Sequence, residues 1–187
     1  YGYMTQKLAK DVPPPTGRYV NANGRVGTQF SLSYEPYRKA YMAELAEKLQ
    51  NFKDDNDTTC FMICGEGSGY LDYSDAAKER YHQWLGRRFG QIGQLNELWR
   101  TTYASFDEVP LPQSPQDNES KANWFAFREF SGLEYVSFLA EKAKVVREQD
   151  SQHRHSASQS SCLTINSPSF TSRGPMDYED LVNVAFA

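Results

Sequence analysis

Long apolar runs are missing from this chain, and so is any strong excess of charge. No window approaches the roughly 20 consecutive apolar residues that a membrane-spanning helix requires. The 20 basic and 24 acidic residues leave a formal net charge of -4, which provides no positive field for gathering phosphates. The sequence therefore predicts a soluble protein that binds neither membrane nor nucleic acid, and it leaves a cytoplasmic and an exported location equally open.

Metal-ligating and nucleophilic side chains are also scarce. The chain has three cysteines and three histidines, and no Cys or His pair completes a set of zinc ligands. No serine lies in a G-x-S-x-G elbow. The stretch "GEGSG" lacks both the spacing of a dinucleotide-binding loop and the Lys-Ser/Thr ending of a P-loop. The sequence thus predicts no metal and no cofactor, and it favours chemistry by carboxylates.

What is present is an alternation of helical and strand-like segments. Apolar residues at helical spacing predict helices over residues 35–52, 74–89, 91–100 and 122–149, with Ser74 as an N-cap and Gly90 as a C-cap. Short apolar runs predict strands at "CFMIC", "CLTIN" and the terminal "DLVNVAFA". Residues 1–34 are predicted to be a long loop region and residues 150–161 a polar connection. This order predicts an α/β fold with a parallel sheet.

One acid, Glu66, stands apart from the solvated charges because it follows the apolar strand "CFMIC" after a single glycine, Gly65, and lies in a glycine-rich loop. Parallel α/β proteins place their sites at this carboxyl end of the strands. Burial by the strand and by the ring of Tyr70 would raise the pKa of Glu66 toward the range of a general acid. The alternative is that Glu66 caps a helix or pairs with an arginine.

The histidines are weaker candidates for a site. His82 shares its helix with several charged residues and is expected at the surface. His153 and His155 lie in the polar connection and lack a third metal ligand.

The residues beyond Glu66 resemble a known family. The stretch "YSDAAKERYHQWLGRRFGQIGQLNELWRTTYASFDEVPLP", residues 73–112, is similar to the segment after the fourth strand in the barrels of glycoside hydrolase family 42, the β-galactosidase type. In that family a helix ending in "WL", a basic "RFG"-like turn, an "LNELW"-like helix and an "SFDEV.LP"-like exit occur in this order. Weaker similarity covers residues 11–49, with a "d.nGr" turn and a "P.YR" helix start, and residues 138–166, which end like the family's "TTN" strand.

The resemblance implies a partial (β/α)8 TIM barrel, from approximately the end of strand three to strand six. Residues 1–187 would be a single partial domain, with residues 35–187 forming its βα units. The implied activity is β-galactosidase-like hydrolysis of β-glycosidic bonds with retention, with Glu66 as acid/base and an oligosaccharide or polysaccharide as substrate. Tyr70, Trp99 and Asn166 are the expected sugar contacts, although core packing is the favoured alternative for Trp99 and Asn166 could equally be a turn residue.

Two features depart from the family pattern. The family's acid/base glutamate usually follows an asparagine whose amide binds the sugar, whereas Gly65 stands at this position, and the linker "WRTTYASF" is shorter than its counterpart. The resemblance places the nucleophile after strand seven, and the chain is expected to stop near strand six. The later glutamates fall instead in the exit segment and in helices: Glu119, Glu129, Glu134, Glu141, Glu148 and Glu179. The isolated chain is therefore predicted to be inactive.

Three interpretations of the chain remain open at this point. Its first residue, Tyr1, and its strand-like last segment favour a piece of a longer hydrolase. The second interpretation is a diverged or inert barrel that binds saccharide without cleaving it, which Gly65 favours. The third is an α/β domain of another enzyme class, in which Glu66 binds a metal or a substrate amine. The sugar, its linkage and the oligomeric state are not predicted.

Overall fold

The computed structural model describes residues 6–52, 60–67, 71–114, 121–149 and 154–159. Within these ranges helices predominate, and the strands form two separate pairs. The elements are α1 (Gln6–Asp11), β1 (Arg18–Val20), β2 (Val26–Phe30), α2 (Glu35–Leu49), β3 (Cys60–Gly67), α3 (Asp75–Phe89), α4 (Ile92–Trp99), α5 (Lys121–Gln149) and β4 (Arg154–Gln159), with 3-10 turns at Gln50–Phe52 and Phe106–Glu108.

The four helices predicted from apolar spacing are confirmed, with ends that differ by no more than one residue once the 3-10 turn after α2 is included. Local chemistry explains this agreement. The Ser74 hydroxyl accepts a hydrogen bond from the Ala77 amide at 3.2 Å, and Gly90 ends α3 with a φ of 69°. Pro36 lies in the first turn of α2, where a missing N–H costs nothing. None of the helices in the described ranges is both long and apolar enough to span a bilayer.

The long helix α5 supplies the packing surface for the other helices. Its first half joins α3, α4 and the segment before α5 in one buried cluster, and its second half packs on α2. The rings of Phe138 and Tyr41 meet edge to face, with centroids 5.0 Å apart. The buried α5 side chains of the first cluster are Trp124, Ala126, Phe127 and Phe130, and those that face α2 are Phe138, Ala143 and Val146.

A cluster of ion pairs, here called the ion cluster, joins α2, α3 and α5 through Arg38, Arg80, Glu134 and Glu141. The Arg38 side chain is 2% exposed, and its guanidinium lies 2.8 Å from Glu141 and 3.6 Å from Glu134. Arg80 donates two hydrogen bonds to Glu134, at 2.7 and 2.8 Å. Ser33, just before α2, donates a further bond to the same carboxylate. One acid on α5 therefore fixes the approach of both other helices.

The prediction of a long loop over residues 1–34 needs correction, because this region contains α1 and an antiparallel hairpin of β1 and β2. Gly17 turns the chain into β1 with a φ of 65°, and a Cβ there would lie 2.4 Å from the ring of Tyr34. The Arg18 guanidinium lies 3.7 Å from the centroid of the Phe30 ring. Strands of three and five residues are too short to show a period in the sequence.

The strands β3 and β4 are parallel neighbours, as predicted for the sheet. Their register pairs Cys60 with Arg154 and Gly67 with Gln159. The prediction of a polar connection over residues 150–161 was wrong, since β4 lies inside it. Strands pair through backbone groups, so a polar sequence can also form a strand. The sequence of β4, "RHSASQ", contains no apolar run from which the strand could have been predicted. The predicted strands at residues 162–166 and 180–187 lie outside the described residues.

The ion cluster predicts an unequal cost for two glutamates of the same helix. Glu134→Ala leaves the buried Arg38 with one carboxylate fewer and should lower the free energy of unfolding by about 3 kcal/mol. Glu148→Ala removes an exposed ion pair with Lys144 at 3.8 Å and should cost less than about 0.5 kcal/mol. Urea denaturation of both variants measures the difference. Equal costs would show that the cluster contributes no more than a surface pair.

The C-cap of α3 predicts opposite effects for two glycines that both have open space around them. Gly90→Ala forces a side chain into a positive φ and should destabilise the chain by about 1–2 kcal/mol. Gly93→Ala, inside α4, should stabilise it by about 0.5–1 kcal/mol, because alanine loses less backbone entropy in a helix. Thermal denaturation tests both. A loss of stability in Gly93→Ala would contradict the assignment of the difference to φ.

Candidate active site

The carboxyl end of β3 is the candidate site, and Glu66 is the penultimate residue of this strand. The sequence predicted a strand that ends at Cys64, before Glu66, but β3 continues to Gly67 and so includes Glu66. The neighbouring register positions, Cys64 and Gly67, pair with Ala157 and Gln159 of β4. The backbone of Glu66 thus lies at the edge where parallel α/β folds present their functional residues. Tyr70 and Asn166 lie outside the described residues.

Trp99 is held in the core between α4 and its neighbours. Its side chain is 6% exposed and belongs to the buried cluster that contains Leu95 and Trp124. The ring meets Phe89 edge to face, with centroids 5.6 Å apart. This is the packing role that the sequence offered as the alternative, and a contact of Trp99 with sugar stays a prediction.

The segment 71–74 carries the chain from the site into α3 and is held at several points. Leu71 is 3% exposed and lies in the main buried cluster. The Tyr73 amide donates to the carbonyl of Val20 at 2.9 Å, and the Tyr73 hydroxyl donates to the carbonyl of Pro112 at 2.8 Å. Ser74 then caps α3. The chain that leaves Glu66 therefore meets a fixed structure four residues after β3 ends.

The carboxylate of Asp72 joins this segment to the β1–β2 hairpin. Its Oδ1 atom accepts hydrogen bonds from the amides of Val20, at 3.2 Å, and Ser74, at 2.9 Å. Burial raises the pKa of Asp72, and hydrogen bonds from Ser31, Ser74 and Val20 oppose this rise in part. The Oδ2 atom is buried and has no hydrogen-bond partner among the described residues.

Sequence reasoning missed Asp72, although a local signal existed. An aspartate two residues before a helix N-cap commonly accepts from the amide two positions on, as Asp72 does from Ser74. The contact with Val20 spans 52 residues, and no local pattern announces it.

The expectation that His82 lies at the surface was wrong. Its side chain is 7% exposed, with Nε2 2.8 Å from the carbonyl oxygen of Val109 and Nδ1 3.4 Å from Asp107 Oδ1. The segment after α4 folds back over α3 and covers the ring, which charged neighbours on the same helix could not reveal. His82 holds this segment in place.

The later glutamates of α5 are used in ion pairs on the helices. Glu134 and Glu141 belong to the ion cluster, Glu129 pairs with Arg88, and Glu148 pairs with Lys144. Within the described ranges no group of three or more His, Cys, Asp or Glu side chains is arranged to hold a metal ion. Glu119 and Glu179 lie outside those ranges.

A family model agrees with the pattern that the sequence showed. The model of glycoside hydrolase family 42, described as beta-galactosidase, matches residues 15–168 of the 187 residues. The match begins just before the β1–β2 hairpin and extends past β4, so it includes β3 and the segment 71–74.

Individual proteins match over part of their length. Beta-galactosidase Bga of Halorubrum lacusprofundi is 30% identical over 83 residues, which cover 42% of this chain and 12% of that protein. The structure of a beta-galactosidase from Bacillus circulans sp. alkalophilus superposes with a TM-score of 0.71 at 17% identity, covering 81% of this chain and 24% of that one. The structure of an exo-carrageenase from Bacteroides ovatus superposes with a TM-score of 0.69 at 22% identity, covering 94% of this chain and 25% of that one. The chain thus spans about a quarter of these barrel structures, and about an eighth of Bga.

The raised pKa of Asp72 predicts a pH-dependent stability difference. Because the folded chain favours the protonated carboxyl, the contribution of Asp72 is largest at low pH and is lost as the pH rises from about 4 through the raised pKa. Asp72→Asn keeps an acceptor for the same amides and does not ionise. Its stability relative to wild type should therefore increase over this window, which urea denaturation at several pH values measures. A constant difference would contradict the burial of the charge, and Asp75→Asn, at an exposed residue, is the matched control.

Proposed function

Because the chain belongs to glycoside hydrolase family 42, the beta-galactosidase family, we propose that it forms part of the catalytic barrel of an enzyme that hydrolyses β-glycosidic bonds. The part extends from approximately the end of strand three to strand six, with β3 as the fourth strand. The substrate is an oligosaccharide or polysaccharide, and β-galactosides are the first choice because Bga and other matched proteins are beta-galactosidases.

Glu66 is the residue to which this proposal gives the acid/base role. The observation that carries it is the position of Glu66, at the carboxyl end of a strand with a parallel neighbour. That edge faces the substrate in (β/α)8 enzymes. The capped helix α3 begins at Asp75, eight residues after β3 ends, which is the order of a βα unit.

The proposed reaction needs a second carboxylate about 5–5.5 Å from the first. Glu66 gives its proton to the oxygen of the leaving group while the second carboxylate attacks the anomeric carbon and forms a glycosyl-enzyme. Glu66, now a carboxylate, takes a proton from the water that releases the sugar. The glutamates of α5 are poor candidates for the nucleophile, because helix ion pairs already hold them. We therefore assign the nucleophile to a later strand of a longer protein.

Tyr70, Asn166 and Trp99 are proposed to contact the sugar. For Trp99, which is 6% exposed, this requires contact through the small exposed part of its side chain. Retention of configuration is part of the proposal, because it follows from the separation that a nucleophilic carboxylate requires.

Gly65 supports a second candidate, a barrel that binds saccharide without cleaving it. A glycine cannot supply the side-chain amide expected before the acid/base glutamate. A hydrogen bond to the neighbouring sugar hydroxyl that strengthens in the transition state contributes several kcal/mol, so its loss would weaken catalysis more than binding.

The test of the acid role uses Glu66→Gln in a protein extended through the later barrel strands. The kcat/KM on an alkyl β-galactoside, whose leaving group needs a proton, should fall about 10²- to 10⁴-fold. The kcat/KM on the dinitrophenyl β-galactoside should fall far less, because it reports only formation of the glycosyl-enzyme and this leaving group departs without a proton. Glu97→Gln, at an exposed position on α4, is the matched control, and the 187-residue chain alone should show no turnover.

Two outcomes would count against the acid role. An equal loss of kcat/KM on both substrates would mean that Glu66 supports the structure of the site rather than transferring a proton to the leaving group. An extended wild-type protein that binds galactosides in calorimetry without hydrolysing either substrate would replace the enzyme proposal with the second candidate.

A further inference from the structure

Asp72 lies between the candidate acid and the helix that follows it, and its carboxylate connects two separate parts of the chain. We propose that Asp72 is a positioning residue, which holds the segment leaving Glu66 against the β1–β2 hairpin and thereby sets the position of Glu66. This inference rests on the proposed role of Glu66 as the acid.

The contacts of Val20 show how the segment and the hairpin are joined. The Val20 amide donates to Asp72 Oδ1 at 3.2 Å, and the Val20 carbonyl accepts from the Tyr73 amide at 2.9 Å. Both backbone polar groups of Val20 are therefore satisfied by residues 72 and 73. The Asp72 side chain takes the place of a backbone carbonyl in this pairing, so the segment lies beside β1 much as a third strand would.

The distance along the chain makes this joint relevant to Glu66. Gly67 ends β3, and Leu71 is already buried in the main cluster. From Gly67 to Leu71 the chain can span at most about 14 Å, so the end of β3 lies near the segment that Asp72 holds. The proposed role requires that a shift of this segment displaces the end of β3.

Helix capping alone does not account for Asp72. Ser74 caps α3 through its own hydroxyl, which accepts from the Ala77 amide. The helix would keep that cap with an alanine at position 72. A buried carboxylate is costly, and its Oδ2 atom lacks a partner among the described residues. Among the described residues, Asp72 is the side chain that accepts a hydrogen bond from the Val20 amide.

The hydroxyl groups of Ser31 and Ser74 hydrogen-bond the Asp72 carboxylate and hold its orientation. Ser31 is 1% exposed, lies in the turn between the hairpin and α2, and hydrogen-bonds Asp72 through its side chain. Its oxygen also accepts from the Ser33 amide at 3.0 Å and lies 3.3 Å from the Ser74 hydroxyl. The carboxylate thus meets the hairpin, the turn before α2 and the start of α3 at one point.

The first experiment uses the 187-residue chain and needs no activity. Amide hydrogen exchange measured by NMR should speed up about tenfold or more at Val20, Glu66 and Gly67 in Asp72→Ala, while the amides in the middle of α3 keep their protection. Asp72→Asn should stay close to wild type because its amide oxygen accepts the same two bonds. Asp75→Ala, an exposed carboxylate in the first turn of α3, is the matched control.

The second experiment measures kcat/KM in the extended protein on the two galactosides. Asp72→Ala should lower kcat/KM on the alkyl β-galactoside about 10- to 100-fold and on the dinitrophenyl β-galactoside less than about threefold, because a misplaced acid slows proton transfer to the leaving group. Partial unfolding would instead lower both rates by the same factor. Asp72→Asn should restore most of the rate.

The two experiments separate the positioning role from the proposed function. Unchanged exchange at Glu66 and Gly67 in Asp72→Ala overturns the positioning role, whatever the activity of the extended protein. Equal losses on both substrates overturn it as well. An extended wild-type protein without turnover would remove the proposed function, and the exchange data would then decide alone whether Asp72 fixes the end of β3.

Discussion

The buried guanidinium of Arg38 is the constraint on which the described structure depends. A charge that is 2% exposed must be matched by carboxylates and hydrogen bonds, and α5 supplies Arg38 with two carboxylates and the Ser137 hydroxyl. Glu134 extends the same requirement to α3 through Arg80, whose pKa these hydrogen bonds raise. The hairpin leads into α2 and the segment after β3 leads into α3. The relative position of these two parts of the candidate site thus follows from the pairing of charges on the helices.

The acids of this chain differ by environment rather than by chemistry. Glu134 is saturated by cations and a hydroxyl, and it works as a fixed joint between helices. Asp72 is surrounded by amides and hydroxyls without a cation, so burial dominates and raises its pKa. Glu66 lies at the end of a strand. A carboxylate that the helices have already neutralised is poorly suited to proton transfer, which favours Glu66 for the proposed role.

The sequence predicted those parts of the fold that depend on neighbours along the chain. Helical periodicity, the Ser74 cap and the Gly90 cap all act within a few residues, and they located α2 to α5. The short run before Glu66 located β3 in the same way. The contacts of Asp72 with Val20 and of His82 with Val109 span 52 and 27 residues, and they depend on how loops fold back over the helices. The strand β4 was missed because backbone pairing does not require an apolar sequence.

The joint between Val20 and the segment at Asp72 uses only the main chain of Val20, whereas the segment contributes the Asp72 carboxylate and the Tyr73 amide. Any residue but proline at position 20 can offer the same amide and carbonyl. During divergence the hairpin can therefore exchange side chains while its geometry persists, whereas position 72 tolerates few replacements.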